Sequence, residues 1–119
     1  MEIKHSIKEI LYRIRDPRWV ISHAFRQATR AYDLISPSEF SKLYRRVKDI
    51  TMCSNARLRG LYRAVKYIVA HNIPGDIVEC GAARGGSAAL MGLTLKHIGA
   101  SERTLRVFDT FKGLPPNWR

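Results

Sequence analysis

Asp76-Ile77-Val78-Glu79-Cys80-Gly81-Ala82-Ala83-Arg84-Gly85-Gly86-Ser87 has the pattern of a short strand running into a glycine-rich turn and then a helix. Pro74-Gly75 punctuate its start. The apolar run Ile77, Val78 and Cys80 predicts a strand covered on both faces. Gly81, Gly85 and Gly86 let the backbone turn sharply and come close to another group. The helix that follows offers unpaired N–H groups and a partial positive charge at its first turn. Such an arrangement suits a phosphate or a carboxylate.

Downstream, the helix is expected over Ser87–Ile98, with Leu90, Met91, Leu93 and Leu95 apolar, Gly92 allowing close packing and Gly99 ending it. Thr104-Leu105-Arg106-Val107-Phe108-Asp109 is the next strand. Strand, helix and strand at this length predict a parallel βαβ unit with a right-handed crossover.

Upstream the periodicity is helical. Ile3, Ile7, Ile10, Leu11 and Ile14 form a stripe beside Lys4, Lys8, Arg13 and Arg15. Asp16-Pro17 predicts an N-cap and a first-turn proline. The helix it opens is expected over Pro17–Tyr32, burying Trp19 or Val20, Ala24 and Ala28. Ser36-Pro37-Ser38-Glu39 has the spacing of a capping box, with Ser36 as the cap. The following helix would bury Phe40, Leu43, Tyr44 and Val47 and expose Lys42, Arg45, Arg46 and Lys48. Ser54 caps a helix whose stripe is Leu58, Leu61, Tyr62, Val65, Ile68 and Val69, and His71-Asn72-Ile73-Pro74-Gly75 stops it.

With 119 residues the chain has room for one domain with a modest core. Its 21 Lys+Arg against 10 Asp+Glu give a formal charge of +11, which favours anions non-specifically and says nothing about fold. Specific nucleic-acid binding is not expected, because no stacking platform or reading-helix pattern is present. Cys53 and Cys80 are far apart, so neither a disulfide nor a zinc site is expected, and Cys80 is placed as a buried small hydrophobe. His5, His23, His71 and His97 have no metal-ligand spacing. No signal peptide or transmembrane segment is evident, and a cytoplasmic protein is the expectation.

Three ligand chemistries begin with such a turn. The dinucleotide fingerprint G-x-G-x-x-G would need glycine at Ala83. The phosphate loop G-x-x-x-x-G-K-[ST] matches at Gly81 and Gly86, but Ser87 stands in place of the lysine and Ala88 in place of the hydroxyl residue. Both are weakened. The third is S-adenosylmethionine, whose carboxylate suits the helix N-terminus while its ammonium and ribose hydroxyls want acidic acceptors. Glu79 and Asp109 supply an acid at the end of each of two consecutive strands, and the second is where a doubly wound sheet holds ribose.

Thr51-Met52-Cys53-Ser54, then Pro74 to Ser87, then Val107-Phe108-Asp109-Thr110-Phe111-Lys112-Gly113-Leu114-Pro115, resemble the macrocin O-methyltransferase family in order and spacing. The resemblance implies a class I methyltransferase fold, S-adenosylmethionine with magnesium, and sugar hydroxyls of glycosylated natural products as acceptors. It further implies that Glu79, Gly81, Ala82, Arg84, Gly85, Gly86 and Ser87 form the methionine-binding turn. Asp109 would hold the ribose, Thr110 and Phe111 would line the adenosine side, and Thr51 and Met52 would form a lip over the cofactor. Ala82 and Ala83 depart from the bulkier residues that family members often carry there.

The expected organisation is α/β: an N-terminal helical segment, residues 1–50, then residues 51–119 as the N-terminal part of a doubly wound Rossmann-like methyltransferase domain. Two strands leave a naked sheet edge, so a truncated sheet is expected. In the resembling enzymes the catalytic base, magnesium ligands and acceptor pocket come later, so they are expected beyond Arg119. A homo-oligomer or a complementing C-terminal fragment would then be the partner. The plainer alternatives are a strand-end Glu79 paired with an arginine, Asp109 capping the loop that follows, and Arg84 merely solvating the turn. The competing function is a non-catalytic basic binding module that keeps the turn as a relic.

Overall fold

The computed structural model describes residues 13–113. The expected helix through Ile3, Ile7, Ile10 and Leu11 lies outside the described residues, as do Leu114 and Pro115. The elements are α1 (Pro17–Ile35), α2 (Glu39–Val47), α3 (Asn55–Ala70), β1 (Ile77–Cys80), α4 (Gly86–His97) and β2 (Leu105–Phe108). The chain divides into two compact units, Met1–Tyr32 and Asp33–Arg119.

In the first unit, α1 starts where the sequence predicts. The Asp16 side chain accepts from the Arg18 N–H at 2.9 Å, and Pro17, which has no N–H to satisfy, opens the helix. The expected burial does not occur. Val20, Ala24 and Ala28 are exposed and Trp19 is only half-buried, stacked on His23 at 4.9 Å. The helix also runs on from Tyr32 to Ile35, where its single buried residue is a charged one, Asp33.

Asp33 organises the start of the second unit. Its carboxylate accepts from the Ser41 hydroxyl at 3.1 Å, the Asn55 amide at 2.9 Å and the Arg59 guanidinium. Arg45 bridges the bend after α1, donating to the carbonyls of Leu34 at 3.2 Å and Ser36 at 2.9 Å. The α2 cap is Ser38 rather than Ser36: Ser38 Oγ accepts from the Ser41 N–H at 3.2 Å. Ser36 instead accepts from the Ser38 N–H, and Glu39 reaches out of the expected capping box to the Tyr62 hydroxyl at 2.8 Å. A long-range partner has replaced the local one.

Phe40, Leu43, Tyr44 and Val47 of α2 pack with Leu58 and Tyr62 of α3 and Leu90 of α4. Arg59 covers the Phe40 ring at 4.3 Å, so the cation that holds Asp33 also closes the top of this core. A second cluster joins Val65, Met91, Leu95 and Ala100 to Ile77 and Leu105, which seats the sheet on α3 and α4.

β1 and β2 pair in parallel, Ile77 opposite Leu105 through Cys80 opposite Phe108, with α4 as the crossover. The mixed α/β character and the β1–α4–β2 order are those the sequence predicts. Coverage of both faces is not found. Ile77, Glu79, Leu105 and Val107 are half-buried on the helix side. Val78 (55% exposed) and Phe108 (57%) share the other face with Cys80, which is exposed rather than buried. A strand's side chains alternate, so one helical layer can cover only one set.

Candidate functional site

β1 ends at Cys80 and the chain turns at once, with Gly81 at φ 82 while its N–H still extends the ladder to the Phe108 carbonyl at 2.8 Å. Ala83 follows at φ 49, a left-handed conformation unusual for a side-chain-bearing residue. Its N–H donates to Asp109 Oδ2 at 2.9 Å. The Gly85 N–H closes the turn on the Ala82 carbonyl at 2.7 Å, and Gly85, at φ 78, leads into α4 with no side-chain cap. The first-turn N–H groups of α4 are therefore left for another acceptor.

Gly86 is required by space. A Cβ there would stand 2.6 Å from Thr51 Cα and 2.8 Å from the Ile50 carbonyl oxygen. The Ile50–Cys53 segment thus lies directly against the helix start. Thr51 stiffens that segment by accepting the Cys53 N–H at 3.1 Å. Between the segment and the turn is a cleft of about 180 Å³, lined by Thr51, Met52, Arg57, Gly81, Arg84 and Ser87 among others. It is smaller than the roughly 300–1,000 Å³ of whole ligand sites, so it can hold one end of a nucleoside-sized ligand.

Glu79 points from β1 toward the helix side. Its Oε1 accepts from the Ser87 hydroxyl, while Oε2 is buried and has no hydrogen-bond partner among the described residues. An orphaned carboxylate oxygen is costly to bury, and a ligand that brings a donor would satisfy it. The expected alternative, an arginine partner for Glu79, is absent among the described residues.

Asp109 caps the turn after β2, accepting from the Phe111 N–H at 2.8 Å through Oδ1, besides holding Ala83 through Oδ2. These N–H groups, Phe111 first and Ala83 second, hold its carboxyl below the usual carboxylate range. Oδ1 also lies 3.5 Å from the Thr110 hydroxyl, and Oδ2 retains a second lone pair. Thr110 donates to the Gly113 carbonyl at 3.4 Å, and Phe111, at φ 54, is exposed.

The structure therefore brings Thr51, Met52, Gly81, Ala82, Arg84, Gly86 and Ser87 into one cleft. Glu79 joins it through Ser87 and Asp109 through Ala83. Gly85 shapes the turn without lining the cleft, and Thr110 and Phe111 sit on the adjoining turn. Sequence reasoning missed Ile50, Cys53, Arg57 and Ala83 as lining residues. For Arg57 a signal existed: it stands three residues after the Ser54 cap, on the first turn of the helix that follows the lip. Among the described residues no group of His, Cys, Asp and Glu side chains converges as a metal site, and no helix is long and apolar enough to cross a membrane.

Comparison with known proteins identifies the family. Residues 17–118 match the family model of macrocin-O-methyltransferase (TylF). The chain belongs to the macrocin O-methyltransferase family. It is 38% identical over 65 residues to demethyldecarbamoylnovobiocin O-methyltransferase of Streptomyces niveus, covering 55% of this chain and 25% of that enzyme. Over the same length it is 40% identical to the 8-demethyl-8-(2,3-dimethoxy-alpha-L-rhamnosyl)-tetracenomycin-C 4'-O-methyltransferase of Streptomyces olivaceus, again covering 55% and 25%. Mycinamicin III 3''-O-methyltransferase of Micromonospora griseorubida is 30% identical over 104 residues, 82% of this chain and 41% of the enzyme. The chain thus spans between a quarter and about two-fifths of the length of these relatives. No solved structure matches.

Proposed function

We propose that residues 51–113 form the methyl-donor side of an S-adenosylmethionine-dependent O-methyltransferase, within a doubly wound methyltransferase sheet, acting on a sugar hydroxyl of a small glycosylated acceptor. The observation that carries the proposal is the buried, unpartnered Glu79 Oε2 beside a glycine turn braced by Thr51. An α-ammonium group is the donor that this oxygen lacks. The N–H groups at the start of α4 suit the neighbouring carboxylate. The spare lone pair of Asp109 Oδ2 suits a ribose hydroxyl, and Met52, 83% exposed on the lip, is placed to cover the bound molecule.

When bound, S-adenosylmethionine supplies an electrophilic methyl group on a positively charged sulfur. The contribution of the described residues is positional: they fix the amino-acid end so that an acceptor oxygen can approach in line with the methyl–sulfur bond. Magnesium, which the family resemblance implies, finds no converging ligand set among the described residues.

Calorimetric titration of the chain with S-adenosylmethionine tests the proposal. Saturable binding is expected, with a loss of about tenfold or more in Asp109→Ala and in Glu79→Gln. Absence of binding at millimolar cofactor, together with strong salt-dependent affinity for DNA, would favour a basic binding module instead.

A further inference from the structure

The cleft beside the glycine turn is lined by a cation that the cofactor motif leaves unassigned. We infer that the Arg57 guanidinium anchors the carboxylate of the methyl donor's amino-acid end, an inference that rests on the cofactor assignment above. Arg57 lines the cleft together with Gly81–Arg84, Gly86 and Ser87 of the turn. Neighbouring arginines are committed elsewhere: Arg59 to Asp33 and the Phe40 ring, Arg45 to the carbonyls of Leu34 and Ser36. The guanidinium of Arg57 has no hydrogen bond or ion pair among the described residues, and only its backbone N–H is engaged, by the Ser54 cap at 3.4 Å.

Its mounting is rigid. Arg57 stands on the first turn of α3, immediately before Leu58, which is fully buried in the core. A side chain on a capped, packed helix holds its position better than one on a loop. The planar guanidinium fork matches a carboxylate bidentately, which a ring of backbone N–H groups does not. Glu79 Oε2 then faces the ammonium and Arg57 the carboxylate, so the two charges of the zwitterion meet opposite charges. Arg84 also lines the cleft and, like Arg57, is exposed, but it sits within the turn itself rather than on a helix. It is the internal competitor for this role.

The test uses two probes, S-adenosylhomocysteine and 5′-methylthioadenosine, the second of which lacks both the carboxylate and the ammonium. Titration calorimetry of the chain is expected to show tighter binding of S-adenosylhomocysteine. Arg57→Gln should weaken that binding by about ten- to a hundredfold and leave methylthioadenosine unchanged. Arg57→Lys, which keeps the charge but not the fork, should lose less. Arg63→Gln, an exposed position on the same helix, should lose nothing. Equal weakening of both probes, undiminished binding by Arg57→Gln, or selective loss in Arg84→Gln alone would overturn the inference and leave the cofactor assignment standing. If the unaltered chain binds neither probe, the cofactor assignment falls first and Arg57 with it.

Discussion

Two small residues in the turn after β1 differ sharply in what they tolerate. Ala83 adopts a left-handed conformation at φ 49, which costs an L-residue about 1–2 kcal/mol. Ala83→Gly removes that cost but loosens the unfolded chain by about 0.4–1 kcal/mol. The expected outcome in a urea melt is a net stabilisation of about 0.5 kcal/mol, with the bond from residue 83 to Asp109 intact. Gly86→Ala acts the other way, because the new methyl would meet backbone atoms of Ile50 and Thr51 that cannot rotate aside. A loss of about 1–3 kcal/mol is expected, accompanied by weaker cofactor binding. Gly60, inside α3 with open space around its Cα, is the control: Gly60→Ala should stabilise by about 0.5–1 kcal/mol. The need for glycine at position 86 was suggested by the motif. The left-handed Ala83 was not, because alanine carries no local sign of it.

At the scale of elements, the joint between α1, α2 and α3 is polar. Asp33 is fully buried and receives Ser41, Asn55 and Arg59, residues up to 26 positions away. Asp33→Asn keeps the shape but leaves the Arg59 charge facing a neutral amide and an N–H₂ group against donors. Removing one member of a buried pair costs about 3–5 kcal/mol, and Arg59 is 31% exposed, so the expected loss in thermal or denaturant unfolding is nearer the lower figure, about 3 kcal/mol. Helix existence was legible from stripe and cap: Asp16, Ser54, and the Phe40–Val47 and Leu58–Val69 stripes all behave as predicted. The choice of Ser38 over Ser36, and the burial of Asp33 in place of Ala24 or Ala28, were not legible. Each was decided by partners far away in sequence, and periodicity reports only a helix's own faces.

Across the whole molecule, one surface charge group links α2, α3 and α4. Glu39 accepts from Tyr62, lies within 3.4 Å of His97 Nε2, and meets Lys66 at 3.4 Å. These partners, the Tyr62 hydroxyl first, hold its carboxyl at about 2 against an ordinary value of 4.5. A depressed carboxyl contributes stability that is present above the ordinary value and is lost as pH falls through the folded one. The melting temperature is therefore expected to fall between about pH 5 and pH 2, and Glu39→Gln should flatten that part of the profile. Because Glu39 is exposed, raising the salt concentration should shrink the difference. A profile for Glu39→Gln that parallels the unaltered chain would show that other carboxyls govern acid unfolding.

The sequence by itself determined the order of elements, the parallel strand–helix–strand unit and the glycine turn at its centre, because these follow from local conformational preference and short-range spacing. It also determined the family, through motifs whose chemistry is carried by adjacent residues. Only the tertiary structure decided that the Ile50–Cys53 segment closes on Gly86, that Glu79 keeps one oxygen without a partner among the described residues, and that Arg57 lines the cleft with the turn. It also decided that Val78, Cys80 and Phe108 lie on an open sheet face. Contact, burial and unmet hydrogen bonds are set by which elements meet in space, and no window of neighbouring residues contains that information.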